Sequence, residues 1–291
     1  MADKKVKILI DTSSGLSKEY CDEKDYEIIG LPFLLDDMEY NDLNITESEF
    51  FDKLKDATKI HTSQASIEVV TAKLKEMLKT CDEVLYLPIT SGLSSAYNTG
   101  VIITSDDEFK DKVYVVDHRT ISVPEKRLIE NIDLMLSKGL GAKEIKEKIE
   151  KESKNDIWIV VDNFDYLKKG GRVDAVTATI GNILNIKPIL YSDGGKFSAV
   201  KKERGLRNAF DSMLDFVEKT IDGDLSKFKS DYALDVAYSK NLDLANEMKQ
   251  KMHDRFNIDL DNIHVGMLPQ VVACHTGPNT IGAALYRYIK V

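Results

Sequence analysis

The stretch at residues 271–285, VVACHTGPNTIGAAL, decides how the rest of the sequence is interpreted. Its centre is His275-Thr276-Gly277-Pro278, with strand-like apolar runs before it and a helix-like run after it. Proline is favoured at the first position of a helix, and glycine permits a sharp turn just ahead of it. We therefore predict that an imidazole, a hydroxyl and unpaired helix N–H groups meet here, as in sites that bind a carboxylate or phosphate. The alternative is a plain helix start that carries a surface histidine.

The composition restricts the class of protein. The chain has 291 residues, 43% of them hydrophobic, and a net charge of −9. Such a chain can bury two cores, and its acidity argues against a nucleic-acid reader or a binder of anionic membranes. No apolar segment is long enough for stable insertion into a membrane. Three widely separated cysteines (Cys21, Cys81 and Cys274) show no metal-binding spacing, and we find no signal peptide or membrane span. We expect a cytoplasmic protein without a metal ion.

The order of apolar segments predicts two domains with different sheets. Apolar runs at 6–10, 28–35, 84–89 and 113–116 alternate with helical segments, which is typical of a parallel α/β/α sheet. A hairpin at Asp193-Gly194-Gly195 requires antiparallel strands in the second half. We therefore predict an α/β fold: an α/β/α parallel-sheet domain at residues 1–155 and an α+β mixed-sheet domain at residues 156–291.

Two further clusters of hydroxyl residues precede predicted helices. Ser66 is the predicted N-cap of one helix, which leaves Thr62 and Ser63 just outside its start. Ser91-Gly92-Leu93-Ser94 follows a buried strand and leads into another helix. The spacing fits neither a Walker A loop nor a nucleophile elbow. Each cluster is also explained as an ordinary helix cap or turn, and only their recurrence suggests an anion-binding site.

Six motifs, taken in order along the chain, resemble those of the DegV family of bacterial fatty-acid-binding proteins. They are DTSSG at 11–15, TSQAS at 62–66, SGLS at 91–94, LKKGGR at 167–172, LNIKPI at 184–189 and HTGP at 275–278. The resemblance implies a DegV-like fold with a long-chain fatty acid in a buried tunnel and its carboxylate at the domain junction. It also implies that the protein is a carrier, which presents the fatty acid to a separate ATP-dependent fatty acid kinase subunit for acyl phosphate formation in phospholipid synthesis.

The same resemblance assigns roles to individual residues. Thr62, Ser63, Ser94 and His275 would bind the carboxylate, Ser94 through its backbone N–H and its hydroxyl, with further contacts from Ser91, Gly92 and Thr276. Arg172 and Arg204 would face the kinase subunit or the phosphoryl group, although each is also explained by an ordinary ion pair. The protein would have no catalytic residue and no cofactor.

Two alternatives and several departures from the family pattern remain. Ser91 or Ser94 with His275 would form the nucleophile and base of an acyl hydrolase or transferase, provided that an acid orients the histidine. A sugar-binding subunit resembling a dihydroxyacetone kinase system is a third candidate. Ala65, Asn279 and residues 117–124 depart from the family pattern, so the sequence leaves acyl chain length and unsaturation open. It also leaves open the oligomeric state and whether a kinase partner exists.

Overall fold

The computed structural model describes residues 4–171 and 185–291. Its strands are β1 (Val6–Asp11), β2 (Glu27–Ile29), β3 (Phe33–Leu35), β4 (Met38–Tyr40), β5 (Ile60–Thr62), β6 (Glu83–Leu87), β7 (Val113–Val115), β8 (Asn155–Val160), β9 (Ile186–Ser192), β10 (Ser198–Arg204), β11 (Tyr232–Tyr238), β12 (Val265–Met267) and β13 (Ile281–Arg287). Its α-helices are α1 (Lys18–Glu23), α2 (Glu47–Asp56), α3 (Ile67–Met77), α4 (Ala96–Thr104), α5 (Val123–Ser137), α6 (Ala142–Glu152), α7 (Asp165–Lys169), α8 (Leu206–Thr220), α9 (Leu242–Phe256) and α10 (Gln270–Thr276).

The first half contains the predicted parallel sheet. Its strand order is β2-β1-β6-β7, and all three pairings are parallel. The central strand β6 is buried at every position, as expected for a sheet covered by helices on both faces. The run at 28–35 forms two strands rather than one, because the chain turns between Ile29 and Phe33, where Gly30 and Pro32 lie. The second piece, β3, pairs with β4 and β5 in a small antiparallel sheet that we did not predict.

The second half forms the predicted mixed sheet. Its strand order is β10-β9-β8-β13-β11-β12, in which only β11 and β12 pair in parallel. The predicted hairpin is confirmed, because β9 and β10 pair antiparallel on either side of residues 193–197. The strand β13 lies between β8 and β11, although it follows every other strand of this sheet in the sequence.

Helix starts were predicted with mixed success. The predicted N-cap Ser66 caps α3 by accepting a hydrogen bond from the Val69 N–H. Thr and Glu three residues apart also predict a capping box, and Thr46 and Glu49 form one at α2. The same pattern at Ser122 and Glu125 predicts a capping box for α5, and this prediction is wrong. Ser122 has a φ of 62° and makes no side-chain capping bond, and the side chain of Glu125 is fully buried.

Apolar contacts connect the two halves. One buried cluster contains Leu9 and Tyr86 from the parallel sheet together with Ile159 and Leu190 from the mixed sheet. A buried ion pair, with 2.8 Å between Arg127 Nη2 and Asp235 Oδ1, also joins α5 to β11. The change from one sheet to the other falls between α6 and β8, near the predicted boundary. The division into two domains at residue 155 stays a prediction.

Candidate functional site

A hydrogen bond joins two predicted site residues from opposite ends of the sequence. Thr62 ends β5, and its Oγ1 lies 2.9 Å from Nε2 of His275, which lies near the end of α10. The two residues are 213 positions apart in the sequence. A hydroxyl and an imidazole in this arrangement can both donate and accept hydrogen bonds, with roles set by the tautomer of the histidine.

The prediction that His275 lies at a helix start is wrong. The helix α10 comes before the Gly277-Pro278 turn, and the strand β13 follows it. Gly277 has a φ of 70°, which glycine adopts easily, and it directs the chain out of the helix. Short apolar runs such as VVAC do not distinguish strand from helix by periodicity. Consequently α10 offers no row of N–H groups beside His275, and donors must come from side chains and from the other two loops.

Gln64 connects the first of these loops to the second. Its Nε2 donates to Thr99 Oγ1 at 2.9 Å, and its Oε1 accepts from Ser95 Oγ at 3.0 Å. Thr99 is in α4, and Ser95 immediately precedes that helix. The Gln64 side chain therefore holds the segment after Thr62 against the segment after Ser94. Gln64 was not predicted to have this role, although it lies inside the TSQAS motif.

Asp117 fixes the start of the loop that contains Ser91, Gly92 and Ser94. The carboxylate accepts from Ser91 N at 3.1 Å, from Ser91 Oγ at 2.6 Å and from Thr90 Oγ1 at 3.0 Å. Burial raises the pKa of Asp117, but the hydrogen bonds from Ser91 and Thr90 outweigh burial and leave the pKa below its ordinary value. The Ser91 hydroxyl therefore points toward a carboxylate. Asp117 belongs to the segment that departs from the family pattern.

Ser94 differs from its predicted role in one respect. Its backbone N–H donates to Thr90 O at 3.2 Å, so this N–H already has a partner. Its Oγ accepts from Ala96 N at 3.2 Å, which leaves the hydroxyl hydrogen available for a ligand. The hydroxyl, and not the N–H, is the donor that Ser94 can offer.

The Gly92 loop packs against the β9–β10 hairpin. A Cβ atom on Gly92 would lie 2.5 Å from Gly194 O, and a Cβ atom on Gly194 would lie 2.4 Å from Arg119 Cβ. Only glycine fits at either position without a displacement. The loops after β6 and β7 therefore interlock with the turn of the mixed sheet.

The remaining predicted residues have varied positions. Ser63 is exposed, and its N–H donates to Pro32 O at 3.0 Å. Thr276 is 4% exposed, and within residues 4–171 and 185–291 its Oγ1 has no hydrogen-bond partner. Arg204 is exposed at the end of β10. Arg172 lies outside the described residues, and so does Leu184, the first residue of the LNIKPI motif.

The preceding motif, LKKGG, lies directly beside His275. A Cβ atom on Gly170 would lie 2.1 Å from His275 Nδ1, and one on Gly277 would lie 2.2 Å from the Tyr166 ring. The helix α7 thus packs against the end of α10. Gly170 and Gly277 let a short helix approach the histidine closely.

An apolar cluster adjoins these polar groups. Ala65 follows the Thr62 segment, Leu93 lies in the Ser94 loop, Val271 lies in α10 and Leu167 lies in α7, and all four pack in the cluster shared by the two sheets. Among the residues that the structure describes, no group of His, Cys, Asp or Glu side chains could hold a metal ion. No described helix is long and apolar enough to cross a membrane.

The fold and the site define an α/β protein with two large sheets and a small third one, in which a threonine–histidine pair and two serine-rich loops adjoin an apolar cluster. A family model described as "Uncharacterised protein, DegV family" matches residues 5–287. The chain therefore belongs to the DegV family, as the motifs predicted.

Relatives and solved structures agree with this assignment. A DegV domain-containing protein from Staphylococcus aureus strain N315 is 26% identical over 285 residues, covering 96% of this chain and 98% of the relative. One from Clostridium acetobutylicum is 28% identical over 292 residues, covering 97% and 98%. The structure of a fatty-acid-binding DegV family protein from Thermus thermophilus is similar with a TM-score of 0.83 at 25% identity, covering 97% and 99%. A stearic-acid-binding protein from Eubacterium ventriosum has the same fold, with a TM-score of 0.85 at 24% identity, covering 98% and 99%.

Proposed function

We propose that this protein binds a long-chain fatty acid, with the carboxylate beside Thr62 and His275 and the acyl chain in a tunnel within the apolar cluster. The observation that carries the proposal is the Thr62–His275 hydrogen bond, because it joins elements of both halves directly beside that cluster. The fatty-acid-binding relative from Thermus thermophilus supports the same ligand.

The chemistry of the donors suits a carboxylate. A carboxylate taken out of water is costly unless several donors converge on it, and hydrogen bonds to a charged group are the strong ones. If His275 Nε2–H donates to Thr62 Oγ1, the threonine hydrogen is left for the ligand. Ser94 supplies a second hydroxyl, and Thr276 supplies a third one that lacks a partner within the described part of the chain. Ser63, Ser91 and Gly92 stay as further proposed contacts.

The alternative acyl hydrolase or transferase receives less support. The Ser91 hydroxyl donates to Asp117, and the hydrogen bond of His275 Nε2 goes to Thr62 rather than to a serine. We propose a carrier without its own catalytic residue, cofactor or metal ion. The three cysteines are free thiols, which supports the proposed cytoplasmic location.

Native mass spectrometry tests the ligand. Protein purified from a bacterial host should retain one long-chain fatty acid, and the mass identifies its length and unsaturation. A bound sugar would favour the dihydroxyacetone-kinase-like alternative. Turnover of an ester or acyl-CoA that disappears in Ser94→Ala would favour the enzyme.

A matched pair of threonine variants tests the head-group position. Thr62→Val should weaken fatty acid binding by roughly 10- to 100-fold, since a hydrogen bond to a charged group contributes about 1.5–3 kcal/mol. Thr104→Val removes a hydroxyl that donates only within α4, so its affinity should match the wild type. Isothermal titration calorimetry with delipidated protein measures both. Equal affinities of the two variants would contradict the carboxylate position.

We further propose that the loaded protein presents its fatty acid to a separate ATP-dependent kinase subunit, which Arg172 and Arg204 face. Arg204→Ala should lower acyl phosphate formation in a reconstituted assay with hydroxylamine trapping, while fatty acid affinity stays unchanged. Arg207→Ala is the control, because Arg207 is also exposed and, within the described part of the chain, its ion pair is with Glu247. An equal loss in both variants would argue against a specific role for Arg204.

A further inference from the structure

A cavity lies away from the Thr62–His275 pair. It has a volume of about 220 Å³ and opens between the loop after β1, the start of α5 and the edge strand β12. At roughly 30 Å³ per water molecule, this is room for about seven waters. Its lining residues are Ser14, Gly15, Leu16, Ser17, Tyr20, Val123, Lys126, His264, Val265, Gly266 and Met267.

The cavity is separate from the proposed fatty acid site. Met267 lies three residues before the first residue of α10, whereas His275 lies near its end. The seven-residue helix spans about 10 Å at 1.5 Å per residue. No lining residue of the cavity is among the residues proposed to bind the fatty acid. The cavity instead uses the DTSSG motif, which the proposed function leaves without a role.

The charge of the lining is positive in an otherwise acidic protein. Among the residues that the structure describes, Lys126 is the only charged one in the lining, and none of the lining residues is a carboxylate. The Lys126 ammonium lies 5.1 Å from the centre of the Tyr20 ring, at the side of the cavity. Burial, and after it the Arg127 guanidinium, lowers the pKa of His264, so this imidazole is neutral at pH 7 and can donate or accept a hydrogen bond.

A polar group next to the cavity lacks a partner. Ser17 Oγ accepts from Tyr20 N at 3.2 Å, and the Ser17 hydroxyl, after the N–H of Glu19 itself, also helps to lower the pKa of the Glu19 carboxyl group, so it is already engaged. Ser122 is 2% exposed, and its Oγ has no partner among the described residues. That oxygen lies 3.7 Å from the point that a Cβ atom on Gly15 would occupy. A buried hydroxyl without a partner is costly, and a bound ligand or water at this point would remove the cost.

Two buried carboxyl groups are close to the cavity in the sequence but are not among its lining residues. Burial, and after it the Asp11 carboxyl group, raises the pKa of Glu125 well above its ordinary value. Burial also raises the pKa of Asp11 to about 6, although Asp11 accepts hydrogen bonds from Ser13 N at 2.9 Å and Ile89 N at 2.7 Å.

We propose that this cavity binds a small phosphate-bearing molecule. Lysine binds phosphate as a compact charge, whereas a planar carboxylate is better matched by the arginine fork, which the lining lacks. The phosphate contacts Lys126, at the beginning of the 15-residue helix α5, whose dipole adds to the attraction. His264 and Tyr20 contact the rest of the molecule.

Titration with inorganic phosphate, followed by ¹H–¹⁵N NMR of the full chain, tests this proposal. The amide signals of Gly15, Ser17, Val123 and Gly266 should shift and saturate at millimolar phosphate. Sodium chloride at matched ionic strength should not shift them, and acetate should bind at least several-fold more weakly. Non-saturating shifts, equal shifts with chloride, or tighter binding of acetate would each overturn the proposal.

Variants at the lysine make the test specific. Lys126→Met keeps the length of the side chain and should weaken phosphate binding at least 10-fold, whereas Lys126→Arg should restore most of it. Lys110→Met, at an exposed lysine, is the control. Unchanged phosphate affinity in Lys126→Met would contradict the site. Fatty acid affinity should be the same in all three variants, so failure here is distinguishable from failure of the proposed fatty acid site.

Discussion

Asp42 holds the start of the helix that carries His275. Its Oδ1 accepts from Gln270 N at 2.6 Å, while its Oδ2 is buried and has no partner within the described ranges. Burial raises the pKa of Asp42 from 3.8 to about 6, although the hydrogen bond from the Gln270 N–H opposes part of this effect. The carboxyl group of Asp42, at the start of the helix that carries His275, therefore changes its charge near pH 6.

This residue predicts a pH dependence of stability. Between pH 3.8 and 6 the folded protein binds a proton at Asp42 that the unfolded chain does not bind, so its contribution to the free energy of unfolding decreases as the pH rises. The difference is about 3 kcal/mol at most, at roughly 1.4 kcal/mol per pKa unit. Asp42→Asn removes the titration but keeps an acceptor for Gln270 N. Urea unfolding should show the variant gaining stability relative to wild type from pH 4 to pH 7, and a constant difference would contradict this.

The sequence pointed to candidate donors but not to the residues that connect their loops. Thr62, Ser94 and His275 were predicted because each lies in a short motif next to a predicted turn. The hydrogen bonds of Gln64 and Asp117 were not predicted, because they depend on contacts with α4 and with the loop after β6. Such contacts arise when distant elements pack, and neither residue has a local signal beyond being polar.

At the level of elements, the close contact between Gly92 and Gly194 predicts that a larger residue at position 92 lowers stability. Gly92→Ala would place a methyl group 2.5 Å from Gly194 O, so a backbone has to move. We expect a loss of about 1–3 kcal/mol in the free energy of unfolding, the usual cost of overpacking. Gly195→Ala in the same turn meets only Asp193 Oδ1 at 3.4 Å and should change stability little. Chemical denaturation of both variants measures the difference, and similar stabilities would refute the tight contact.

Elements with strong periodicity were predictable, and those determined by tertiary contacts were not. The four parallel strands and the β9–β10 hairpin follow from apolar runs and turn residues. The segments before and after the Gly277-Pro278 turn were predicted as strand and helix, whereas they form the helix α10 and the strand β13. The segment before the turn contains the β-branched residues Val271 and Val272, which favour a strand. It forms a helix because Asp42 accepts a hydrogen bond from its first N–H, and because Ala273 and Cys274 pack in a cluster with residues of α2. The small sheet of β3, β4 and β5 was not predicted, because each of its strands has only three residues.

At the level of the whole molecule, one buried ion pair joins the two halves. Arg127 donates to both oxygens of Asp235, at 3.0 and 2.8 Å, and Asp235 also accepts from His264 N at 2.9 Å. The side chain of Asp235 is fully buried. Removing one partner of such a pair leaves an uncompensated charge, which usually costs about 3–5 kcal/mol.

Arg127→Met should therefore lower the free energy of unfolding by several kcal/mol, as measured by urea denaturation followed through the fluorescence of Trp158, the single tryptophan. Adding Asp235→Asn should restore part of the loss, because the amide is neutral and still accepts from His264 N. Arg207→Met, which breaks an exposed pair with Glu247, should cost no more than about 1 kcal/mol. A double variant less stable than Arg127→Met alone would contradict this account.

The central position of β13 has a consequence for protein synthesis. The ribosome produces β8, β9, β10, β11 and β12 before the strand that separates β8 from β11. Until residues 281–287 emerge, the nascent mixed sheet has two unpaired inner edges, which are prone to association with other chains. All four strands of the parallel sheet have been synthesised once β7 is made, so this sheet can form early. The mixed sheet cannot be completed until β13 has been synthesised. The interval between these two events is the period in which a nascent chain of this protein most needs protection by chaperones.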